Sequence, residues 1–136
     1  MEIIGYNLSR ILSKKGFSMN VFEKIVAGEI PCNKVLENDD FLAFHDISPR
    51  APIHILAIPK KCYENFQVTP PEVMVGMAKF IKEIAVKMGL DKSGYRLVCN
   101  CGENSGQEVM HLHFHILGGT KLPWENAGSA DVSNKF

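Results

Sequence analysis

No stretch of eighteen apolar residues occurs in this 136-residue chain, so no segment of it reads as a membrane-spanning helix. The start of the sequence lacks the charged flank, apolar run and small-residue cleavage site that a secretory signal requires. Charge of one sign is missing as well: 15 Lys and Arg face 15 Asp and Glu, a balance that gives no field to track a nucleic-acid backbone or an anionic leaflet. The local pair Lys60-Lys61 is too small to supply one. Neither nucleic acid nor a membrane is expected as a partner. The four cysteines, Cys32, Cys62, Cys99 and Cys101, form no regular disulfide framework, and with 46% hydrophobic residues the chain needs no staples. Reduced thiols and a cytoplasmic protein are the expectation. Charged residues at 22% complete the composition of a single compact domain rather than a disordered chain.

The chain divides at about residue 20. Residues 1–19 read as an extension, where Arg10, Lys14 and Lys15 accompany an apolar stripe at Ile4, Leu8, Ile11 and Leu12. An organelle-directing presequence, a mobile extension and a functional start at Met19 all fit that pattern. The domain occupies residues 20–136, with a Gly, Ser, Asn and charge-rich tail from about 125. Asn20 is placed to cap a short helix carrying Val21, Phe22, Ile25 and Val26, which ends at Gly28. Strands are expected at 35–37, 41–46, 53–58, 95–99 and 110–117, the first two joined by a turn at Asn38-Asp39-Asp40. A long helix over about 70–88 has Thr69 and Glu72 spaced as a capping box. Its apolar stripe is Met74, Met77, Ala78, Ile81, Ile84, Ala85 and Met88, and Gly89 stops it. Five strands linked by hairpins, with one long and one short helix, make an α+β domain with an antiparallel sheet.

Three of the five histidines fall within His111-Leu112-His113-Phe114-His115. Strand alternation puts the three imidazoles on one face and Leu112, Phe114 and Ile116 on the other, against the helix. Aligned imidazoles repel as cations, so they stay mostly neutral at pH 7, which suits bases, nucleophiles and ligands. A metal competes poorly for them. Successive same-face positions are about 6.8 Å apart along a strand, so one ion reaches two of the three. His54 would be a further ligand, yet no neighbouring Asp or Glu completes a set in the sequence, and Cys99-x-Cys101 lacks zinc-knuckle spacing. No metal and no cofactor are expected.

Nucleophilic catalysis fits better: a central imidazole attacks through one nitrogen while its other nitrogen is held by a hydrogen bond. The electrophile should be anionic. Ser105-Gly106-Gln107 offers backbone N–H groups to a phosphate and Asn100 an amide, so a phosphoryl centre is the natural substrate.

These motifs resemble those of the histidine triad superfamily: His-x-His-x-His, two further residues and Gly118-Gly119. Phe44-His45-Asp46-Ile47-Ser48-Pro49 with Ala51-Pro52-Ile53-His54 is similar to its Hint branch, and the likeness covers roughly residues 20–124. The resemblance implies a homodimer whose two sheets join into one. It implies that His113 attacks the α-phosphorus of a purine nucleoside phosphoramidate, with a nucleotidyl-histidine intermediate that water hydrolyses. Acyl-adenylates are a further substrate class. His111 would hold the nucleophile's tautomer through its backbone carbonyl, His115 would contact phosphate oxygens, and His54 would extend the histidine relay. Asp46 matches the ribose-binding carboxylate, although a turn cap is its ordinary alternative. Phe22, Ile25, Ile30, Phe44 and Ile47 match the base pocket, where unaided reading assigns each to the core. Asn100, Gly106 and Gln107 match the phosphate loop. Glu108 departs from the serine of animal members and sets a carboxylate beside the leaving group. Trp124 matches a tail aromatic that reaches a partner's site; its alternative is an exposed end residue. Two other readings remain open, a dinucleoside polyphosphate hydrolase with the same triad and a nucleotide-responsive interaction module.

Overall fold

The computed structural model describes residues 19–124. The sequence-based readings of the extension before Met19 and of the tail after Trp124 lie outside these residues. Helix α1 (Val21–Val26) precedes strands β1 (Lys34–Glu37), β2 (Phe41–His45) and β3 (Ile53–Pro59). Then come the long helix α2 (Pro71–Lys87), a short helix α3 (Leu90–Ser93), β4 (Tyr95–Val98), a 3-10 turn at Glu103–Ser105 and β5 (Phe114–Gly118). All strand pairs are antiparallel and the sheet order is β1-β2-β3-β5-β4, which makes the domain α+β as expected. One correction concerns connectivity. From β3 the chain passes through α2 and α3 to the outer strand β4, and β5 returns into the gap between β3 and β4.

Local chemistry explains the elements. Asn20 Oδ1 accepts from the Glu23 N–H at 2.8 Å and Glu23 Oε1 accepts from the Asn20 N–H at 3.1 Å, a complete capping box on α1. Asn38 Oδ1 accepts from the N–H groups of Asp40 and Phe41, closing the β1–β2 turn. The box expected on α2 does not form: Pro70 is the N-cap, and the Thr69 hydroxyl donates instead to the Asn65 carbonyl at 2.7 Å. Two prolines already supply the first turn without N–H donors, so little is left for Thr69 to cap. On α2, Phe80 replaces Ala78 in the buried stripe, and Ala78 faces solvent.

The sheet is covered on both faces. Phe41, Ala43, Ile55, Ala57, Phe114 and Ile116 point to α2 and meet Met77, Phe80, Ile81 and Ile84 in the larger cluster. The alternate residues Leu42, Phe44, Leu56 and Ile58 point the other way and pack with Phe22, Ile25 and Ile30. That second face also carries the histidines. Among the described residues, no helix is long and apolar enough to cross a membrane.

Candidate active site

Register places the site. Asp46 continues β2, its N–H donating to the His54 carbonyl at 2.9 Å, so these two residues lie opposite each other. Leu56 faces His115 across β3 and β5, which makes His54 the diagonal neighbour of His115 on the same face. Asp46, His54 and His115 therefore form a row across three strands. Only His115 of the triad lies inside β5; His111 and His113 occupy the extended segment before it. The strand expected to start at residue 110 begins at Phe114 because the Leu112 N–H is taken by the Tyr63 carbonyl at 2.6 Å. The sidedness survives that change. Leu112, Phe114 and Ile116 join the α2 cluster, while the imidazoles share the opposite side.

Hydrogen bonding fixes the tautomers. The His111 carbonyl can only accept, so His113 Nδ1 carries a proton and donates to it at 2.7 Å. Neutral His113 is thereby left with a bare lone pair on Nε2. His111 Nε2–H donates to the Pro59 carbonyl at 2.8 Å, so its Nδ1 accepts from the Asn20 amide at 3.1 Å. His54 Nδ1 accepts the Arg50 backbone N–H at 3.0 Å, which puts its proton on Nε2. That Nε2–H donates to His115 Nδ1 at 2.9 Å, with Asp46 Oδ2 3.5 Å away, and the remaining proton of His115 is on Nε2. The product is a bare nitrogen on His113 beside a ring whose free nitrogen is a donor, with centroids 5.1 Å apart.

Neutrality has a physical cause. Burial lowers the pKa of His113, opposed by its bond to His111 and by the fields of Asp46 and Glu108. Burial, reinforced by His113 and His54, pushes His115 down to about 4. His111, fully buried, is lowered in the same way, and so is His54 despite the opposing Asp46 carboxylate. The Phe22 ring stands edge-on to both His111 and His113, with centroids 5.7 and 5.0 Å away, and locks their planes.

Other expected residues are placed as follows. Phe22, Ile25, Ile30 and Phe44 are buried in the second cluster, so their core role is realised, while Ile47 is 62% exposed beyond them. Asp46 serves as the turn cap, Oδ1 accepting from the Ser48 N–H at 2.8 Å, and its second oxygen faces the histidines. In the loop after β4, the N–H groups of Ser105, Gly106 and Gln107 donate to the carbonyls of Gly102 and Glu103. The Gln107 amide is consumed internally by Gly102, Glu64 and Val109, and Gly106 serves through its left-handed φ of 85°. Asn100 is half-buried at the start of this loop, and Glu108 is exposed with its field on His113. Trp124 is 80% exposed and packs on Arg96, whose guanidinium lies 6.0 Å from the ring centre. Asn20 and Arg50 were the residues missed as site components. Asn20 carried only a capping signal, and Arg50 acts through its backbone.

A metal set exists by distance alone, contrary to expectation, because Asp46 completes it: one ligand atom each of Asp46, His54 and His115 lies within 4.8 Å of the others. Its chemistry fits poorly. A ligating imidazole normally donates its other N–H to an acceptor, whereas His54 Nδ1 accepts from Arg50, which keeps the proton on the nitrogen a metal would need.

The sequence matches the HIT domain family over residues 27–122. An uncharacterized HIT-like protein of Helicobacter pylori is 56% identical over 103 residues, covering 76% of this chain and 99% of that protein. Among solved structures, a HIT family hydrolase from Legionella pneumophila is 41% identical with a TM-score of 0.75, covering 79% of this chain and 98% of the other. A histidine triad nucleotide-binding protein from Candida albicans is 28% identical with a TM-score of 0.69, covering 86% and 90%. Fold, histidine row and sequence agree, and the chain belongs to the HIT family.

Proposed function

We propose that this protein is a nucleotide hydrolase that cleaves the P–N bond of purine nucleoside 5′-phosphoramidates through a nucleotidyl-histidine intermediate. The observation that carries the reading is the bare Nε2 of His113, left available because its Nδ1–H is committed to the His111 carbonyl. In the first step this lone pair attacks phosphorus and the P–N bond breaks. The leaving-group proton is assigned to the His115 Nε2–H, so the amine leaves neutral, and the negative charge left on that ring is balanced by the positive charge His113 gains when Nε2 bonds phosphorus. In the second step water attacks phosphorus and the P–Nε2 bond breaks. One water proton returns to His115, and the product is a nucleoside monophosphate. Acyl-adenylates suit the same sequence, with a carboxylate leaving instead.

The base is assigned to the margin of the Phe22, Ile25, Ile30 and Phe44 cluster, with Ile47 as its exposed flank. Asp46 Oδ2 is the ribose acceptor. Phosphate oxygens are assigned to His115 and to the Glu108 N–H, which has no hydrogen-bond partner among the described residues, with Asn100 beside them. The printed descriptions of the Legionella hydrolase and the Candida nucleotide-binding protein support the class. A homodimer belongs to the proposal, since β4 ends the sheet with Tyr95 and Leu97 exposed.

The test is a fluorogenic adenosine phosphoramidate supplied with EDTA. The native protein releases the amine, and His113→Ala releases none while still binding adenosine monophosphate. Turnover by that variant contradicts the assignment. Loss of turnover on chelation, restored by zinc, contradicts the metal-free scheme.

A further inference from the structure

We propose that Asn20 is a positioning residue for the nucleophile, acting through His111. The inference rests on the reading of His113 as nucleophile, and it adds a group outside the histidine row.

The Glu23 backbone N–H can only donate, so the atom of Asn20 it meets at 2.8 Å is the carbonyl oxygen. The amide nitrogen of Asn20 therefore points the other way. Its two hydrogens have two acceptors, His111 Nδ1 at 3.1 Å and Cys62 Sγ at 3.4 Å. No other orientation of this amide satisfies all three contacts.

The consequence passes to His111. With a donor on Nδ1, the ring must carry its proton on Nε2, where the Pro59 carbonyl receives it at 2.8 Å. The ring is thus clamped between the N-cap of α1 and the end of β3. It has no surface exposed to exchange that proton with water. Residues 111–113 lie outside the β5 ladder, so the peptide carrying the His111 carbonyl is held at two points, the Leu112 N–H donating to the Tyr63 carbonyl at 2.6 Å and the His111 ring in this clamp. That carbonyl holds the His113 Nδ1–H. Phe22, two residues after Asn20, adds its edge contacts to both rings, so the first turn of α1 acts on the nucleophile from two sides.

Replacing Asn20 separates a structural role from a positioning one. Aspartate caps helices as well as asparagine does, so Asn20→Asp keeps the bond to the Glu23 N–H. It removes the N–H donor to His111 and offers an acceptor in its place. His111 then gains a proton on Nδ1 and becomes a cation whose charge acts on His113 through the carbonyl that holds its Nδ1–H. Asn20→Ala loses both the cap and the donor.

The experiment combines kinetics with nitrogen NMR of the histidine rings in the full chain. In the native protein, His111 should show a protonated Nε2 and a bare Nδ1 at pH 7. In Asn20→Asp, with urea stability close to native, His111 should show both nitrogens protonated. Its kcat on the phosphoramidate should fall at least about tenfold with KM within about twofold. A native-like His111 spectrum, or native kcat in Asn20→Asp with loss only in Asn20→Ala, overturns the proposal and leaves Asn20 a cap. Failure of the native protein to turn over the substrate strikes the function alone, because the NMR comparison still decides the role of Asn20.

Discussion

A single proton assignment governs the site at the scale of residues. His113 and His115 are adjacent on one face, both neutral through burial, yet their hydrogen bonds leave opposite groups free: a lone pair on one and an N–H on the other. Under the proposed function that difference assigns attack to His113 and proton delivery to His115. Asp46 divides itself similarly, one oxygen holding the Ser48 turn and the other facing the row. Asp46→Ala is predicted to weaken adenosine monophosphate by about 10- to 100-fold, and its 2′,3′-dideoxy analogue much less, because a hydrogen bond to a charged acceptor contributes about 1.5–3 kcal/mol. Equal losses in titration calorimetry assign Asp46 to the turn only. The shared face of His111, His113 and His115 was legible in the sequence, since their i, i+2 spacing fixes it on any extended backbone, paired into a ladder or not. What spacing could not reveal was which nitrogen of each ring is occupied. Those partners, the carbonyls of Pro59 and His111 and the N–H of Arg50, are backbone groups that carry no residue signature.

Among the elements, the site depends on a sheet buried on both faces. Helix α2 fills one face so closely that a Cβ on Gly76 would lie 2.8 Å from the Phe41 ring. Gly76→Leu should therefore lower stability by about 1–3 kcal/mol, less up to about 1 kcal/mol of regained helix propensity. Urea denaturation measures the net loss, and a native midpoint contradicts the packing described. The element pattern itself was largely readable. The apolar runs of β2 and β3 and the turn at Asn38 needed no tertiary information. The α2 cap and the Phe80-for-Ala78 exchange did, because a proline pair displaced Thr69 and ring size outweighed helical angle. The 100–108 loop was legible only as a close backbone turn. That the N–H groups of Ser105, Gly106 and Gln107 donate within it, while that of Glu108 does not, depends on backbone directions that composition does not carry.

For the whole molecule, four lowered histidine pKa values make folding depend on pH. Each of His54, His111, His113 and His115 binds its proton less readily when folded than at the ordinary value of 6.5. Between that value and the folded pKa, about 4 for His115, the unfolded chain holds protons that the native state does not. Stability is therefore full above about pH 6.5 and falls as pH drops through this window, by up to about 1.4 kcal/mol per pH unit for each proton taken up. Urea midpoints at pH 7.5 and 5.0 should differ in that direction, and His111→Gln should flatten the slope by up to one proton. An increase in stability on acidification contradicts burial as the cause.

The central claim is that phosphorus becomes bonded to His113 Nε2. Rapid mixing with labelled adenosine phosphoramidate, an alkaline denaturing quench that preserves phosphohistidine, and peptide mass mapping test it directly. During turnover the account predicts nucleotide on the peptide containing His113 and none in His113→Ala. Steady consumption of substrate with no nucleotide on that ring at any time would contradict it.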